Sequence, residues 1–240
     1  MSVILRNGDC MSELRELGDK SVQLVLTDPP YNLGLFMTGR QAGIHRMREN
    51  FFVSAGWDNL EALKWEEAMD NFFQEASRIV APGGAIVCFM AVIKVETIIR
   101  IAQKHGFYYK TTGVWHKTNP MPRNMNIQFI NSNESWIYFT FKTRSGIFNN
   151  GGRAYHDHVE TSVTPQSEKT FGKHPTQKPV SLMKHFVSLL SNPGDVVLDP
   201  FMGSGSTGVA ATMLGRSYIG IELDQKYFNT AQMRIQEQLW

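Results

Sequence analysis

Apolar positions along the chain fall into short runs that alternate with longer segments of helical period. Val3-Ile4-Leu5 and Ser21 to Leu26 have the length and β-branched content of strands, and Asp9 stands where it would cap a helix through Leu14 to Leu17. Leu63, Met69, Phe72, Phe73, Ala76 and Val80 recur at helical spacing until Pro82-Gly83-Gly84, after which Ala85 to Phe89 reads as a buried strand. A helix over 94–105 and a strand over 107–115 follow. The pattern then lapses, apart from one strand over Ser135 to Phe141. It resumes with a helix over 178–190, a strand over Val196-Val197-Leu198, a helix over 209–214, a strand over Tyr218 to Glu222, and a last helix that Asp224 caps and that runs to about Gln238. Strands alternating with helices predict an α/β fold with a mainly parallel sheet covered by helices on both faces.

Two breaks in this pattern carry chemistry. The first is Thr27-Asp28-Pro29-Pro30-Tyr31-Asn32, where consecutive prolines end the second strand and leave a rigid corner at its carboxyl edge. Ligands of open α/β sheets bind at that edge. A flat amine could give one hydrogen to Asp28 and one to the Pro29 carbonyl while Tyr31 stacks on its ring, which leaves the nitrogen lone pair free to attack. The bland reading is a proline-rich turn with a capping Asp.

The second break is Asp199-Pro200-Phe201-Met202-Gly203-Ser204-Gly205-Ser206-Thr207-Gly208, a glycine turn between a strand and a helix. Its literal dinucleotide fingerprint raises a dehydrogenase reading, but that reading leaves the Asp28 corner without a task. A nucleoside with a charged amino-acid tail uses both motifs: Glu222 takes the ribose, the turn approaches the tail, and Asp199 takes the ammonium. S-adenosylmethionine fits that description.

Composition narrows the classes. The 240 residues, 42% hydrophobic and 19% charged, suit one large soluble domain with room for a small excursion, and a net charge of +2 says little about partners. Cys10 and Cys88 offer neither a disulfide framework nor a zinc cluster, and His156-Asp157-His158 lacks further ligands, so no metal is expected. No signal-like or membrane-length apolar run occurs, which points to the cytoplasm. Basic side chains gather instead in two stretches without period. Residues 33–58 carry Arg40, Arg46 and Arg48 and read as a mobile loop near the site. Residues 116–174 carry Lys117, Arg123, Lys142, Arg144, Arg153 and Lys173 among amides and hydroxyls, the side chains that read phosphates and base edges.

With both motifs in hand, the chain resembles the amino-group DNA methyltransferases of the circularly permuted β class. Asp28-Pro29-Pro30-Tyr31 comes first, a target-recognition segment over 116–174 follows, and Phe201-Met202-Gly203-Ser204-Gly205 comes last. Trp115-His116-Lys117-Thr118-Asn119-Pro120, His174-Pro175-Thr176-Gln177-Lys178-Pro179, Gly220-Ile221-Glu222 and Asn7-Gly8-Asp9 also match. The resemblance implies a Rossmann-like sheet of about seven strands, with 1–115 and 175–240 forming the catalytic and cofactor-binding domain. It implies that Asp28 and Pro29 bind the target amine with Pro30 and Tyr31 beside them. Phe201 would pack near the cofactor adenine, Asp9 with Cys10 would meet the adenine amine, and Thr176, Gln177 and Lys178 would approach the carboxylate. Asp199, Gly203 and Gly205 would line the methionine part, Ser204, Ser206, Thr207 and Asp28 would also contact the cofactor, and Glu222 would take the ribose. The expected substrate is adenine N6 in flipped duplex DNA, with cytosine N4, RNA, or a non-catalytic DNA-binding subunit as alternatives. A second copy and a cognate restriction endonuclease stay open as partners, in a bacterial or phage setting.

Overall fold

A computed structural model of the protein describes residues 1–31, 62–122 and 126–239. The 33–58 loop with Arg40, Arg46 and Arg48, and Asn32 and Arg123, lie outside the described residues.

The chain begins β1 (Val3–Asn7), α1 (Cys10–Arg15), β2 (Val22–Thr27), then α2 (Ala62–Ile79), β3 (Val80–Met90), α3 (Val95–Lys104) and β4 (Phe107–Lys117). It continues with β5 (Asn133–Phe141), β6 (His158–Thr161), α4 (Val180–Leu190), β7 (Val196–Asp199), α5 (Ser206–Met213), β8 (Ser217–Glu222) and α6 (Gln225–Gln236). The strands form one sheet in the order β1-β8-β7-β2-β3-β5-β4-β6, eight strands where about seven were expected. Every neighbouring pair is parallel except the two made by β5, so β5 alone runs backwards.

Alternation along the strands supplies a core on each face. Val25, Ile86, Cys88, Ile137, Phe139 and Leu198 pack with Leu14, Phe72, Phe73 and Ile98 from α1, α2 and α3. Leu24, Leu26, Val87, Phe89 and Trp136 pack with Leu182, Phe186, Val209 and Ile235 from α4, α5 and α6. Both faces are therefore covered by helices, as the sequence implies.

Two expectations about boundaries change. Pro82-Gly83-Gly84 does not separate α2 from the next strand: β3 starts at Val80, and the run from Ala81 to Gly84 bulges out between the pairs Val22↔Val80 and Leu24↔Ala85. Gly83 takes the left-handed conformation that allows this. Nor does 116–174 stand apart as an excursion. Its Trp136, Ile137, Phe139 and Phe141 are buried, so β5 sits inside the sheet between β3 and β4, and β6 closes the sheet edge.

The common polarity puts the carboxyl ends of β1, β8, β7, β2, β3, β4 and β6 at one edge. Because β5 is reversed, its first residues arrive at that same edge, with Asn133 opposite His116 and Ser135 opposite Met90. Lys142, just past the other end of β5, lies at the far edge, where its N–H bonds Gly106.

Gly113 of β4 faces Trp136 of β5, and a side chain there would collide with the indole and with the Asp157 carbonyl. Gly113→Ala is expected to destabilise the fold by about 1–3 kcal/mol through overpacking, read as a lower midpoint in urea unfolding with unchanged slope.

Candidate active site

At the end of β2 the chain turns outward as Asp28-Pro29-Pro30. The Trp65 indole N–H of α2 donates to the Pro30 carbonyl at 3.1 Å and pins the corner. Asp28 Oδ1 accepts the Tyr31 hydroxyl at 2.5 Å, and Asp28 Oδ2 pairs with Lys178 Nζ. Lys178 is only 7% exposed and also reaches Glu134 Oε2 at 3.1 Å, while Lys117 Nζ meets Glu134 Oε1 at 2.5 Å. Four charges thus alternate across the edge from β4 to β2.

Burial alone would lower the Lys178 pKa, but Asp28 and Glu134 outweigh it and hold the ammonium well above the usual lysine range. Burial acts to raise Glu134, and the two lysines outweigh that and keep its carboxylate below the ordinary range. The Tyr31 phenol is pushed far up by burial and by the charges of Asp28 and Glu134, so it serves Asp28 as a donor.

Next to β2 in the sheet, β7 delivers Asp199, 4% exposed, beneath the glycine turn. Its Oδ1 accepts the Phe201 N–H at 3.2 Å. Burial pushes its carboxyl up to about 7, helped by the nearby Asp28 charge and opposed by hydrogen bonds from Thr207 and the Phe201 backbone. Gly203 and Gly205 both take positive φ, at 52° and 79°, and Gly205 ends against Ala231 of α6, where a Cβ would come within 2.9 Å of another.

Arg234 of α6, also buried, donates to the Ser204 carbonyl at 2.5 Å and to the hydroxyls of Ser204 and Ser206 at 3.1 and 3.2 Å. Ser206 Oγ in turn donates to the Lys178 carbonyl at 2.7 Å. The glycine turn and the Asp28 corner are therefore joined through Lys178.

At the tip of β8, Glu222 Oε2 accepts the Gly203 N–H at 2.9 Å and Oε1 accepts the Asp224 N–H at 2.8 Å. Each oxygen keeps a second lone pair, enough for a pair of hydroxyls. Asp9 caps α1 through the Ser12 N–H at 3.0 Å, and the Cys10 thiol beside it is pushed up to about 12 by burial. Phe201 lies 6.2 Å from Phe72, between this edge and α2.

Asp9, Cys10, Asp28, Asp199, Phe201, Gly203 and Glu222 come together at one edge, as the sequence implies. Lys178 is there too, but its ammonium is spent on Asp28 and Glu134. Gln177 is turned inward, its amide donating to the Glu168 carbonyl at 2.9 Å. Thr176 is exposed and lies 3.3 Å from His174 Nδ1, whose ring is pushed down to about 4 by burial and sits edge-on to Tyr227.

The basic candidates divide. Lys173 is exposed beside this edge, and Lys117 is enclosed against Glu134 and Trp115. Lys142 and Arg144 belong to the opposite edge, and Arg153 follows Asn149, which docks on the last turn of α4. Sequence reasoning missed Glu134 and Arg234, since an acidic residue opening a strand and an arginine in a last helix look like solvated charges. Among the described residues no group of His, Cys, Asp and Glu could hold a metal, and no helix is long and apolar enough to cross a membrane.

The donor set fits a nucleoside bearing an ammonium: a carboxylate for the hydroxyls, a buried carboxylate for the cation, and glycines that admit a close backbone. With Asp199 near 7, only its ionised form attracts an ammonium, so affinity for such a ligand should rise from pH 6 to pH 8, by up to about tenfold per unit below the pKa. Titration calorimetry at several pH values checks this, and Asp199→Asn should flatten the dependence.

The chain is similar to known proteins. Residues 22–233 match the N6/N4 methyltransferase family model, described as DNA methylase. The Type II methyltransferase M.HinfI of Haemophilus influenzae is 31% identical over 252 residues, spanning 99% of this chain and 69% of the relative. The crystal structure of the M1.HpyAVI-SAM complex superposes with a TM-score of 0.75 at 29% identity, covering 97% of this chain and 98% of that one. The cytosine-N4-specific PvuII DNA methyltransferase shares the fold at a TM-score of 0.78 and 19% identity, covering 98% of this chain and 86% of that one. A sheet edge whose donors fit S-adenosylmethionine and a family match over most of the sequence lead to one conclusion: the chain belongs to the DNA methylase family and is an S-adenosylmethionine-dependent DNA methyltransferase.

Proposed function

We propose that the protein methylates the exocyclic N6 amine of adenine in duplex DNA after flipping the base into the Asp28 corner. The observation that carries this reading is the Asp28 carboxylate, fixed by Tyr31 and Lys178 at the edge that also holds Asp199 and Glu222. Among the described residues each Asp28 oxygen has one hydrogen-bond partner, which leaves lone pairs for an incoming amine. Adenine is favoured over cytosine because Asp, rather than Ser, precedes Pro29-Pro30, in the manner of the adenine enzymes the motif resembles. The order of the motifs along the chain supports the permuted β class.

In this mechanism Glu222 would hold the ribose hydroxyls of the cofactor and Asp199 its ammonium, with the backbone of Gly203 and Gly205 admitting its tail. When bound, the cofactor supplies an electrophilic sulfonium methyl group. Asp28 and the Pro29 carbonyl accept the two hydrogens of the target amine and turn its lone pair toward that methyl. Asp28 would also take the proton that the methylated amine sheds and pass it on to water. Alignment supplies most of the acceleration, because donor and acceptor need no activation once held in line.

The DNA surface includes Lys173 and the connecting residues 118–122, 126–132 and 162–174, which adjoin the site edge. Lys142 and Arg144 are too far round the sheet to share one duplex face with Asp28, since β5 spans roughly 25–30 Å at about 3.3 Å per residue.

Expression in a host without DNA methylation, followed by sequencing of its genome for modified bases, tests the reading. N6-methyladenine in a short recurring context is expected, and N4-methylcytosine there would reverse the choice of base. Asp28→Ala should lower transfer by at least about a hundredfold while DNA binding persists, measured by methyl incorporation and gel shift.

A further inference from the structure

Glu134 has no part in the reading above, yet it is the only carboxylate other than Asp28 recorded on the buried Lys178 ammonium among the described residues. It is the second residue of β5, the one reversed strand, just past the β4–β5 connection. Its own second oxygen is held by Lys117.

An ammonium has three donors and a single charge. With Asp28 as its sole anion, Lys178 would close on that carboxylate as a tight pair in a site with little water, and the lone pairs needed by an amine would be drawn to the cation. Glu134 draws on the same nitrogen through a second contact, at 3.1 Å. The carbonyl of Lys178, bonded by Ser206, anchors the other end of the residue.

We propose that Glu134 is a positioning residue for methyl transfer: it holds the Lys178 ammonium at a set distance between two carboxylates, so that Asp28 presents free lone pairs to the target amine. Lys117 completes the device by fixing Glu134. This inference rests on the methyltransferase reading, and Glu134 itself touches neither the reacting nitrogen nor the methyl.

The test compares wild type, Glu134→Gln, Lys178→Met and the double variant in single-turnover methyl transfer to DNA, with S-adenosylmethionine affinity measured by calorimetry. Glu134→Gln is expected to slow transfer on the order of tenfold to a hundredfold, the scale of a small misplacement at a reacting centre, with cofactor affinity unchanged within about threefold. In the Lys178→Met background the same change should cost less than about twofold, because the residue acts through Lys178.

An unchanged rate in Glu134→Gln overturns the proposal. So does a rate loss matched by an equal loss of cofactor affinity, or an undiminished cost in the Lys178→Met background. If Glu134→Gln does not fold, Lys117→Met releases the same carboxylate from its outer side: a slower rate at unchanged affinity supports the role, and a wild-type rate removes it. Wild-type protein that methylates no DNA sinks the parent reading and this one together, whereas active wild type beside an unaffected variant sinks this one alone.

Discussion

A lysine ammonium buried to 7% exposure must be paired, and Lys178 is paired twice. Removing one partner of a buried ion pair costs about 3–5 kcal/mol, because the remaining charge is stranded away from water. Asp28, Glu134 and Lys178 therefore hold one another in place, and Lys117 keeps the row neutral. Without the cation, Asp28, Glu134 and the deeper Asp199 would bring like charges to one sheet edge. Asp28 is thus fixed by the same contact that lets several acids share the site.

The row also explains how the two halves of the site keep register. Arg234 of the last helix braces Ser204 and Ser206 in the glycine turn, and Ser206 holds the Lys178 backbone. Cofactor turn and amine corner are coupled through a few short polar contacts rather than through a flexible loop. In-line displacement needs this rigidity, since methyl and amine must be brought into contact along one axis.

The topology makes the row attainable. Seven strands point their carboxyl ends at one edge, which collects Asn7, Glu222, Asp199 and Asp28 in order across the sheet. A purely parallel sheet would leave Glu134 at the opposite edge. Reversing β5 brings it to the active edge and carries Lys142 away from it.

The sequence by itself determined the α/β alternation, the caps at Asp9 and Asp224, and the identity of both motifs, because period, proline corners and glycine turns act over a few neighbouring residues. It also marked Asp28, Asp199 and Glu222 correctly as strand-end acids. It did not show the bulge at Gly83, the membership of β5 and β6 in the main sheet, or the split of the basic residues between two edges. Those depend on which strands pair and in which direction. Only the tertiary structure decided that Lys178 spends its charge on Asp28 and Glu134, that Gln177 turns inward, and that Arg234 braces the turn. Each joins residues far apart in the chain, and a charge reads as solvated until the fold removes its water.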